Sequence, residues 1–488
     1  MLNKLFELYV QNKRYILCKY LPTSLMYVLS AYIYSLLRGV KDSILVPKLG
    51  AELISYIKFY GVFPSTILFF ILFSKMANLL PRDKLYYTIA AFFGSFFVAY
   101  AFILEPNTIY LHPDLSSFAK VFPQIKYQIT MIENWTITVF YIMSELCGTV
   151  MLTLLFWQFA NDIYSMKEAK KTYALFGVIG QLGVVAAGFF QKNISEYFIL
   201  NPGNHEIWSL TMKWMMSSVA IASIGLMIIY RWMYINVLSD PELCGRQHNS
   251  VTEKVKLSIK ESFRYVFSSR YLWLIMVIVF CYGLGINLIE SVWKDQLRHR
   301  YTDSNSYSSF MGTFHIYFGI CCIITMLCGS YILRNFKWLA AALCTPIGAG
   351  LTGAIFFTLL IFKDLFEPLL NEFYINILSM AVMLGSLQVI IFKSFNYTFV
   401  DATKEMAFIP LDRELRIKGK AAVDVIGGRF GKSFGAILQQ VMFQFINPNL
   451  SELVNEICII FILVMFMWIY SVIALNKKFV EITSKENA

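Results

Sequence analysis

A glycine-rich stretch near the C-terminus has residue types that could bind phosphate. It reads KGKAAVDVIGGRFGKSFGAIL over residues 418–438, so glycines precede Lys432 and Ser433. A P-loop cradles phosphate with the spacing GxxxxGK, followed by Ser or Thr, directly after a strand. The first glycine would have to lie five residues before Gly431, where the chain has Ile426. No strand is plausible in this apolar run, so the pattern excludes a P-loop.

The same stretch fits a membrane helix with a ridge of small residues. Gly427, Gly431 and Gly435 recur every four residues, a pattern that lets a neighbouring helix approach closely. Arg429 and Lys432 project beside this ridge. Packing explains the glycines but not two cations in an apolar run, and Arg and Lys are the usual partners of phosphate. We therefore interpret both cations as phosphate-binding residues.

Further charged residues lie within or at the end of apolar runs, where each costs at least about 2.5–3.5 kcal/mol at a helix centre. Lys41 lies three residues and Asp42 four residues after Arg38, so the three side chains share one helical face. The alternative is an interfacial cluster that snorkels to water. Glu145 is the sole charged residue in FYIMSELCGTVMLTLLFWQFAN. We predict that it faces the bundle interior and finds a partner, as a functional residue or in a structural ion pair.

Two later runs carry similar residues. Glu290 and Lys294 are four residues apart in the favourable acid-first order, so a local salt bridge competes with a functional role. Lys393 lies deep in its run, and its ammonium either points inward or snorkels out. His315 lies on an aromatic face, and we interpret it as a satisfied core histidine.

Cations outnumber carboxylates among these positions, which predicts a basic pathway for a polyanion such as a phosphorylated solute. The substrate-binding residues that we predict are Lys41, Glu145, Glu290, Arg429 and Lys432, with Arg38, Asp42, Lys294 and Lys393 as secondary candidates.

The elements that must position these residues are membrane helices. The chain has 488 residues, of which 57% are hydrophobic and only 15% charged, whereas soluble domains carry roughly a quarter charged residues. Runs of about 20 apolar residues can each cross a bilayer, and about twelve are present. The sequence thus predicts an all-α polytopic membrane protein. The runs lie near 22–40, 57–76, 85–104, 135–160, 172–192, 208–230, 271–293, 310–332, 338–363, 374–400, 419–446 and 453–475.

A polar, basic stretch at 231–270 separates six runs from six. Weak similarity links the halves, since LLRGVKDSI ends the first run and LIESVWKDQL the seventh. Parallel halves are typical of transporters that bind substrate at the midplane and rock around it. The predicted divisions are a terminal segment (1–21), a six-helix bundle (22–230), a linker (231–270), a second bundle (271–475) and a tail (476–488).

Lys and Arg collect on the side of the membrane that holds both ends of the chain. Cytoplasmic loops are enriched in these residues, so we predict that both termini are cytoplasmic and that part of 231–270 lies on the inner surface as an amphipathic helix. The net charge of +11 reflects this bias and does not indicate nucleic-acid binding. The nine cysteines form no CxxC pair, which argues against a metal site. No nucleophile–base pair stands out, so we predict neither an enzyme nor a cofactor.

Several motifs resemble one known family along nearly the whole chain. These are RGVKDSI, SELCGTVMLTLLFWQFAN, EAKKTYALFG, INLIESVWKDQL, DATKEMAFIPLDRELRIKGKAAVDVIGGRFGKS and the closing ALNKKF. The chain resembles the ATP/ADP translocase (nucleotide transporter) family of obligate intracellular bacteria and plastids, above all its rickettsial members.

This resemblance implies a twelve-helix fold like that of the major facilitator superfamily, in a bacterial inner membrane. It also implies exchange of host ATP for bacterial ADP plus phosphate or, in some members, uptake of other nucleotides. The family's functional residues fall, by motif, on Lys41, Glu145, Glu290 and Lys432.

The chain departs from the family at two motifs. Ser433-Phe434-Gly435 stands where many relatives have Ser-Gly-Gly, and Leu146-Cys147 where many have Leu-Trp. These departures leave the nucleotide open, so transport of GTP, CTP, UTP or their diphosphates is one alternative to ATP/ADP exchange. The others are transport of another phosphorylated organic anion, a membrane enzyme acting on a nucleotide or lipid phosphate, and a sensor or degenerate paralogue without transport activity.

Overall fold

The computed structural model describes residues 15–202, 206–240, 243, 269–411 and 413–486. Within helices, the side chains of 166–167, 170–171, 413–418, 421–422, 424–430, 432 and 485–486 lie outside this description. Most of the predicted N-terminal segment and of the predicted amphipathic helix in the linker also lie outside the described residues.

Twelve long helices follow one another along the described chain, and the prediction of an all-helical membrane protein is confirmed. Eleven of those in the described residues are long and apolar enough to cross a membrane, and the remaining helix, α11, occupies the other predicted run. They are α1 (Ile16–Leu49), α2 (Leu53–Leu79), α3 (Arg82–Leu104), α4 (Trp135–Ile163), α5 (Met166–Leu200), α6 (Ile207–Leu238), α7 (Arg270–Arg300), α8 (Ser304–Asn335), α9 (Trp338–Ile361), α10 (Ile377–Phe408), α11 (Arg413–Phe445) and α12 (Val454–Glu486).

In the described residues, short helices occupy three connections. The α3–α4 connection contains Thr108–Leu111, Ser116–Val121, Pro123–Ile125 and Lys126–Glu133; Lys363–Glu372 follows α9, and Leu450–Leu453 precedes α12.

Several long helices contain a π-helical segment, in which the hydrogen bonds span five residues rather than four. Those that bear on the site are Ile57–Val62 in α2, Thr149–Leu155 in α4 and Asn396–Val400 in α10. Such segments are rare and are frequently found at functional sites, because they rotate the side chains that follow them.

The chain forms two compact units. The first unit comprises Met1–Lys48, Tyr60–Val251 and Asp303–Ile320, and the second comprises Leu49–Phe59, Thr252–Thr302 and Cys321–Ala488. The first turns of α2 therefore belong to the second unit, and the first half of α8 belongs to the first.

Close helix contacts in the first unit occur at glycines. A methyl group at Gly188 of α5 would lie 2.6 Å from the carbonyl oxygen of Gly312 on α8. One turn further along α5, the buried amide of Gln191 donates to Ser308 at 3.1 Å. The small residues bring the backbones together, and the amide then satisfies a hydroxyl in their interior.

A buried ion pair joins the start of α5 to α1. The ammonium of Lys19, a fully buried residue, lies 2.8 Å from the carboxylate of Glu168, and Ser165 caps α5 in a reciprocal hydrogen-bond pair with Glu168. Burial raises the pKa of Glu168, but the hydrogen bonds from Lys19 and from the Ser165 amide outweigh it and lower that pKa below its ordinary value. The carboxylate therefore stays ionised and anchors both helices.

In the second unit, α7 packs against the glycine ridge of α11. A methyl group at Gly431 would lie 2.8 Å from the carbonyl oxygen of Phe280, and one at Gly435 would lie 2.7 Å from the amide nitrogen of Asn287. The predicted close approach at the ridge is confirmed at these two positions. The side-chain surroundings of Gly427 lie outside the described residues.

We expect Gly431→Ala to lower the thermal stability of the detergent-purified protein. The added methyl group meets backbone rather than a flexible side chain, so helices must shift, at a cost of about 1–3 kcal/mol. Gly177→Ala is the matched control, because nothing lies within 4 Å of a methyl group at that position of α5. Equal melting temperatures for the two variants would contradict the close contact between α7 and α11.

Candidate functional site

The first unit holds a buried lysine between two carboxylates. The ammonium of Lys41 on α1 lies 2.7 Å from a carboxylate oxygen of Glu145 on α4 and 3.5 Å from one of Asp42. The side chain of Lys41 is 4% exposed and that of Glu145 is 32% exposed. The prediction that Glu145 finds a partner is confirmed, and Lys41 is buried rather than snorkelling to water.

Aromatic rings complete the surroundings of Lys41. Its ammonium lies 3.8 Å from the centre of the Tyr141 ring, a cation–π contact that stabilises a desolvated charge. Tyr141 lies one helical turn before Glu145, so both reach Lys41 from the same face of α4. Gly148, one turn after Glu145, leaves room for the Tyr34 ring of α1, which lets the two helices come close enough for the ion pair.

The second unit holds an ion pair of its own. Lys393 on α10 pairs with Glu290 on α7, and the two side chains are 6% and 12% exposed. Gly385 of α10 makes room for the Trp293 ring of α7, whose indole nitrogen donates to Ser386 at 3.1 Å. Of the two alternatives for Lys393, the structure has the ammonium pointing inward.

The two pairs join equivalent helices in chain order with opposite polarity. In the first unit the lysine is on α1 and the carboxylate on α4; in the second unit the carboxylate is on α7 and the lysine on α10. A π-helical segment begins four residues after Glu145 and three residues after Lys393. The similarity holds for helices and not for positions, because the matched motifs align Lys41 with Lys294 rather than with Glu290.

The other predicted residues are placed as follows. Arg38 is half-buried one turn before the Lys41–Asp42 pair, and Lys294 is buried one turn after Glu290. Arg429 and Lys432 lie on α11 beside the glycine ridge, and their side chains lie outside the described residues. Among the predicted residues whose side chains are described, the structure forms two groups, one around Lys41 and one around Glu290.

Sequence reasoning missed two residues of these groups, Tyr141 and Lys58. The ammonium of Lys58, on α2, lies 3.1 Å from the side-chain oxygen of Asn287, one turn before Glu290 on α7. The energetic cost that singled out Glu145 is a weaker signal at Lys58, because a lysine at the start of an apolar run can also snorkel to the membrane surface. The spacing of one turn between Tyr141 and Glu145 was also a usable signal.

The chemistry available in this arrangement is ion binding. In the part of the chain that the structure describes, no group of three or more His, Cys, Asp or Glu side chains is placed to hold a metal ion. Lys41 and Lys393 each contact a carboxylate, and an ammonium forms charge-assisted hydrogen bonds of similar length to carboxylate and phosphate oxygens.

We expect Lys393→Met to destabilise the protein by about 3–5 kcal/mol, because it removes the cation that Glu290 contacts in the interior. The double variant Lys393→Met/Glu290→Gln should recover much of that loss. Lys192→Met is the control, since its pair with Glu196 is largely exposed at 3.9 Å and such pairs contribute about 0–1 kcal/mol. Thermal unfolding in detergent provides the measurement, and a double variant no more stable than Lys393→Met would refute the pairing.

Relatives of the chain are found among bacterial carriers. ADP,ATP carrier protein 1 of Rickettsia bellii is 38% identical over 474 residues, covering 96% of this chain and 94% of that protein. ADP,ATP carrier protein 3 of Rickettsia felis is 36% identical over 480 residues, covering 95% of each. ADP,ATP carrier protein 1 of Chlamydia pneumoniae is 37% identical, covering 94% of this chain and 91% of that protein.

Solved transporter structures share the fold at low identity. The nucleoside transporter NupG matches with a TM-score of 0.58 at 12% identity, covering 93% of this chain and 99% of that chain. The D-xylose-proton symporter matches with a TM-score of 0.54 at 13% identity, covering 93% and 97%. These are transporters of the major facilitator type, as the resemblance implied.

The family model described as TLC ATP/ADP transporter matches residues 2–479. It is a family of transporters and not of enzymes. The chain is a multi-pass membrane protein and belongs to the TLC ATP/ADP transporter family.

Proposed function

We propose that the protein is a nucleotide antiporter that imports host ATP in exchange for ADP by alternating access. The observation that carries the proposal is the pair of buried lysines, Lys41 and Lys393, each held by a carboxylate within the membrane helices. The relatives named ADP,ATP carriers support the choice of substrate. A buried ammonium with a displaceable partner is suited to a phosphate chain.

Phosphate binding is assigned within each unit separately. Lys41 engages phosphate oxygens in the first unit, and Lys393, Arg429 and Lys432 do so in the second. Glu145 and Glu290 hold the lysines when no nucleotide is bound and release them to the substrate. An ammonium has three donors, so each lysine can gain a phosphate oxygen before its carboxylate contact is fully lost.

Exchange rather than net uptake follows from the charge balance of this set. The set has four cations (Lys41, Lys393, Arg429 and Lys432) and three carboxylates (Asp42, Glu145 and Glu290), so the unloaded set carries more positive charge within the membrane than the carboxylates neutralise. Moving uncompensated charge through a low-dielectric region is costly, whereas a phosphate chain with several negative charges compensates it. Reorientation is therefore fast when a nucleotide is bound and slow when none is, which couples import to export.

The membrane and topology follow the same reasoning. We place the protein in the bacterial inner membrane with both termini in the cytoplasm, because Lys and Arg collect on the side that holds the two ends of the chain. Fusion of a reporter that is active only in the cytoplasm to each terminus tests this orientation.

We expect proteoliposomes to take up labelled ATP only when ADP is present inside. Parallel assays with GTP, CTP and UTP test the substrate, because the two departures from the family pattern lie in site helices. Uptake into empty vesicles would overturn strict exchange. Preference for another nucleotide would identify a carrier of nucleic-acid precursors, and failure of every nucleotide would contradict the proposal.

We also expect Lys41→Gln to reduce ATP/ADP exchange by at least about tenfold, the factor that corresponds to ~1.4 kcal/mol of lost interaction. The variant keeps a hydrogen-bond donor but loses the charge that the phosphate requires. Lys84→Gln is the control, because Lys84 is exposed at the start of α3. Size-exclusion chromatography verifies that the variants are equally well folded and present in equal amounts. Near-normal exchange by Lys41→Gln would rule out a role of Lys41 in phosphate binding.

A further inference from the structure

Lys58 is a further lysine among the apolar helices whose ammonium is directed inward, in addition to Lys19, Lys41 and Lys393. It lies five residues after the start of α2 and is half-buried. Lysines near a helix end commonly snorkel to the membrane surface, but the ammonium of Lys58 instead lies 3.1 Å from the side-chain oxygen of Asn287 on α7. The second unit contains both residues.

The amide of Asn287 is held in one orientation. The residue is 6% exposed, and its nitrogen lies where a methyl group at Gly435 would be only 2.7 Å away. An ammonium donates but cannot accept, so Asn287 presents its oxygen to Lys58 and its nitrogen to the glycine. The side-chain amide of Gln439, one turn after Gly435, donates to the hydroxyl of Ser291 at 2.6 Å and to the backbone carbonyl oxygen of Asn287 at 3.4 Å. These two hydrogen bonds fix α7 against α11 at this level.

Two ammonium groups therefore meet the same face of α7. Asn287 holds Lys58, and Glu290, three residues later, holds Lys393. Three residues correspond to a rise of about 4.5 Å along a helix, so the two acceptors are neighbours. Lys58 lies within a π-helical segment, one residue after its start. Glu145 and Lys393 instead lie about one turn before the π-helical segments of α4 and α10.

We propose that Lys58 is a further phosphate-binding residue, held by Asn287 in the unloaded protein and transferred to a phosphate oxygen when nucleotide binds. This inference rests on the proposed function. The ammonium keeps a charge-assisted hydrogen bond in both states, and exchange of the neutral amide oxygen for an anionic phosphate oxygen adds the attraction between opposite charges. Lys58 and Lys393, whose acceptors on α7 lie one turn apart, then engage neighbouring phosphate groups of the same substrate.

Asn287 offers Lys58 a neutral acceptor, which an anionic phosphate oxygen can displace. A carboxylate at position 287 would form an ion pair with the ammonium and compete with the phosphate. Asn287 is therefore a positioning residue, which orients the ammonium of Lys58 through its side-chain oxygen.

The test measures the Kd of ATP for the full-length protein in detergent by titration calorimetry, and thermal unfolding without nucleotide. We expect Lys58→Gln to weaken ATP binding by about tenfold or more and Lys58→Arg to bind like the wild type. Lys75→Gln, on the same helix but exposed, should bind unchanged. A purely structural tie between Lys58 and Asn287 would lower the unfolding temperature of Lys58→Gln and leave the Kd unchanged, which would overturn the inference.

Asn287→Asp provides a second, independent arm. This variant keeps the size of the side chain but pairs Lys58 with a carboxylate, so we expect it to bind ATP more weakly than the wild type. The double variant Lys58→Gln/Asn287→Asp should bind ATP no more weakly than Lys58→Gln alone. If Lys58→Gln does not fold, an unchanged Kd for Asn287→Asp overturns the inference. Absence of ATP binding by the wild-type protein would instead refute the proposed function, and this inference with it.

Discussion

The cost of burying an ammonium group among apolar helices is the constraint on which the site depends. A lysine there must have a partner whose charge or dipole replaces the water it has lost. Lys19, Lys41 and Lys393 each meet this requirement with a carboxylate, and Lys58 has the side-chain oxygen of Asn287 among its contacts. In the proposed function, a phosphate oxygen replaces the protein ligands of Lys41, Lys393 and Lys58, so the same requirement for a partner prepares the site for an anionic substrate.

Helix packing at small residues makes these pairs possible. Gly148 admits Tyr34 between α1 and α4, Gly385 admits Trp293 between α7 and α10, and Gly435 admits the amide of Asn287 between α7 and α11. In each case an absent side chain leaves space for a bulky or polar group close to a buried charge. The glycines therefore contribute to function by setting the distances between helices rather than by contacting phosphate.

Much of the fold could be predicted from the sequence, because apolar runs of the right length are an unambiguous signal in a chain with so few charges. The site was predictable in part. The cost of burial singled out Lys41, Glu145 and Glu290, but it could not tell which lysine meets which carboxylate, since partners on different helices are chosen by packing. Lys58 escaped notice because a lysine near the start of a run fits snorkelling equally well, and only its direction toward Asn287 distinguishes the two.

The opposite polarity of the two ion pairs permits a direct test of the central claim that each unit needs one cation and one displaceable carboxylate at this position. Exchange of the two charges in the second unit, Glu290→Lys/Lys393→Glu, gives it the polarity of the first. ATP/ADP exchange would be measured in proteoliposomes beside both single variants. The account predicts at least about tenfold more exchange for the double variant than for Glu290→Lys or Lys393→Glu alone. A double variant as inactive as the single ones, though equally well folded, would contradict it.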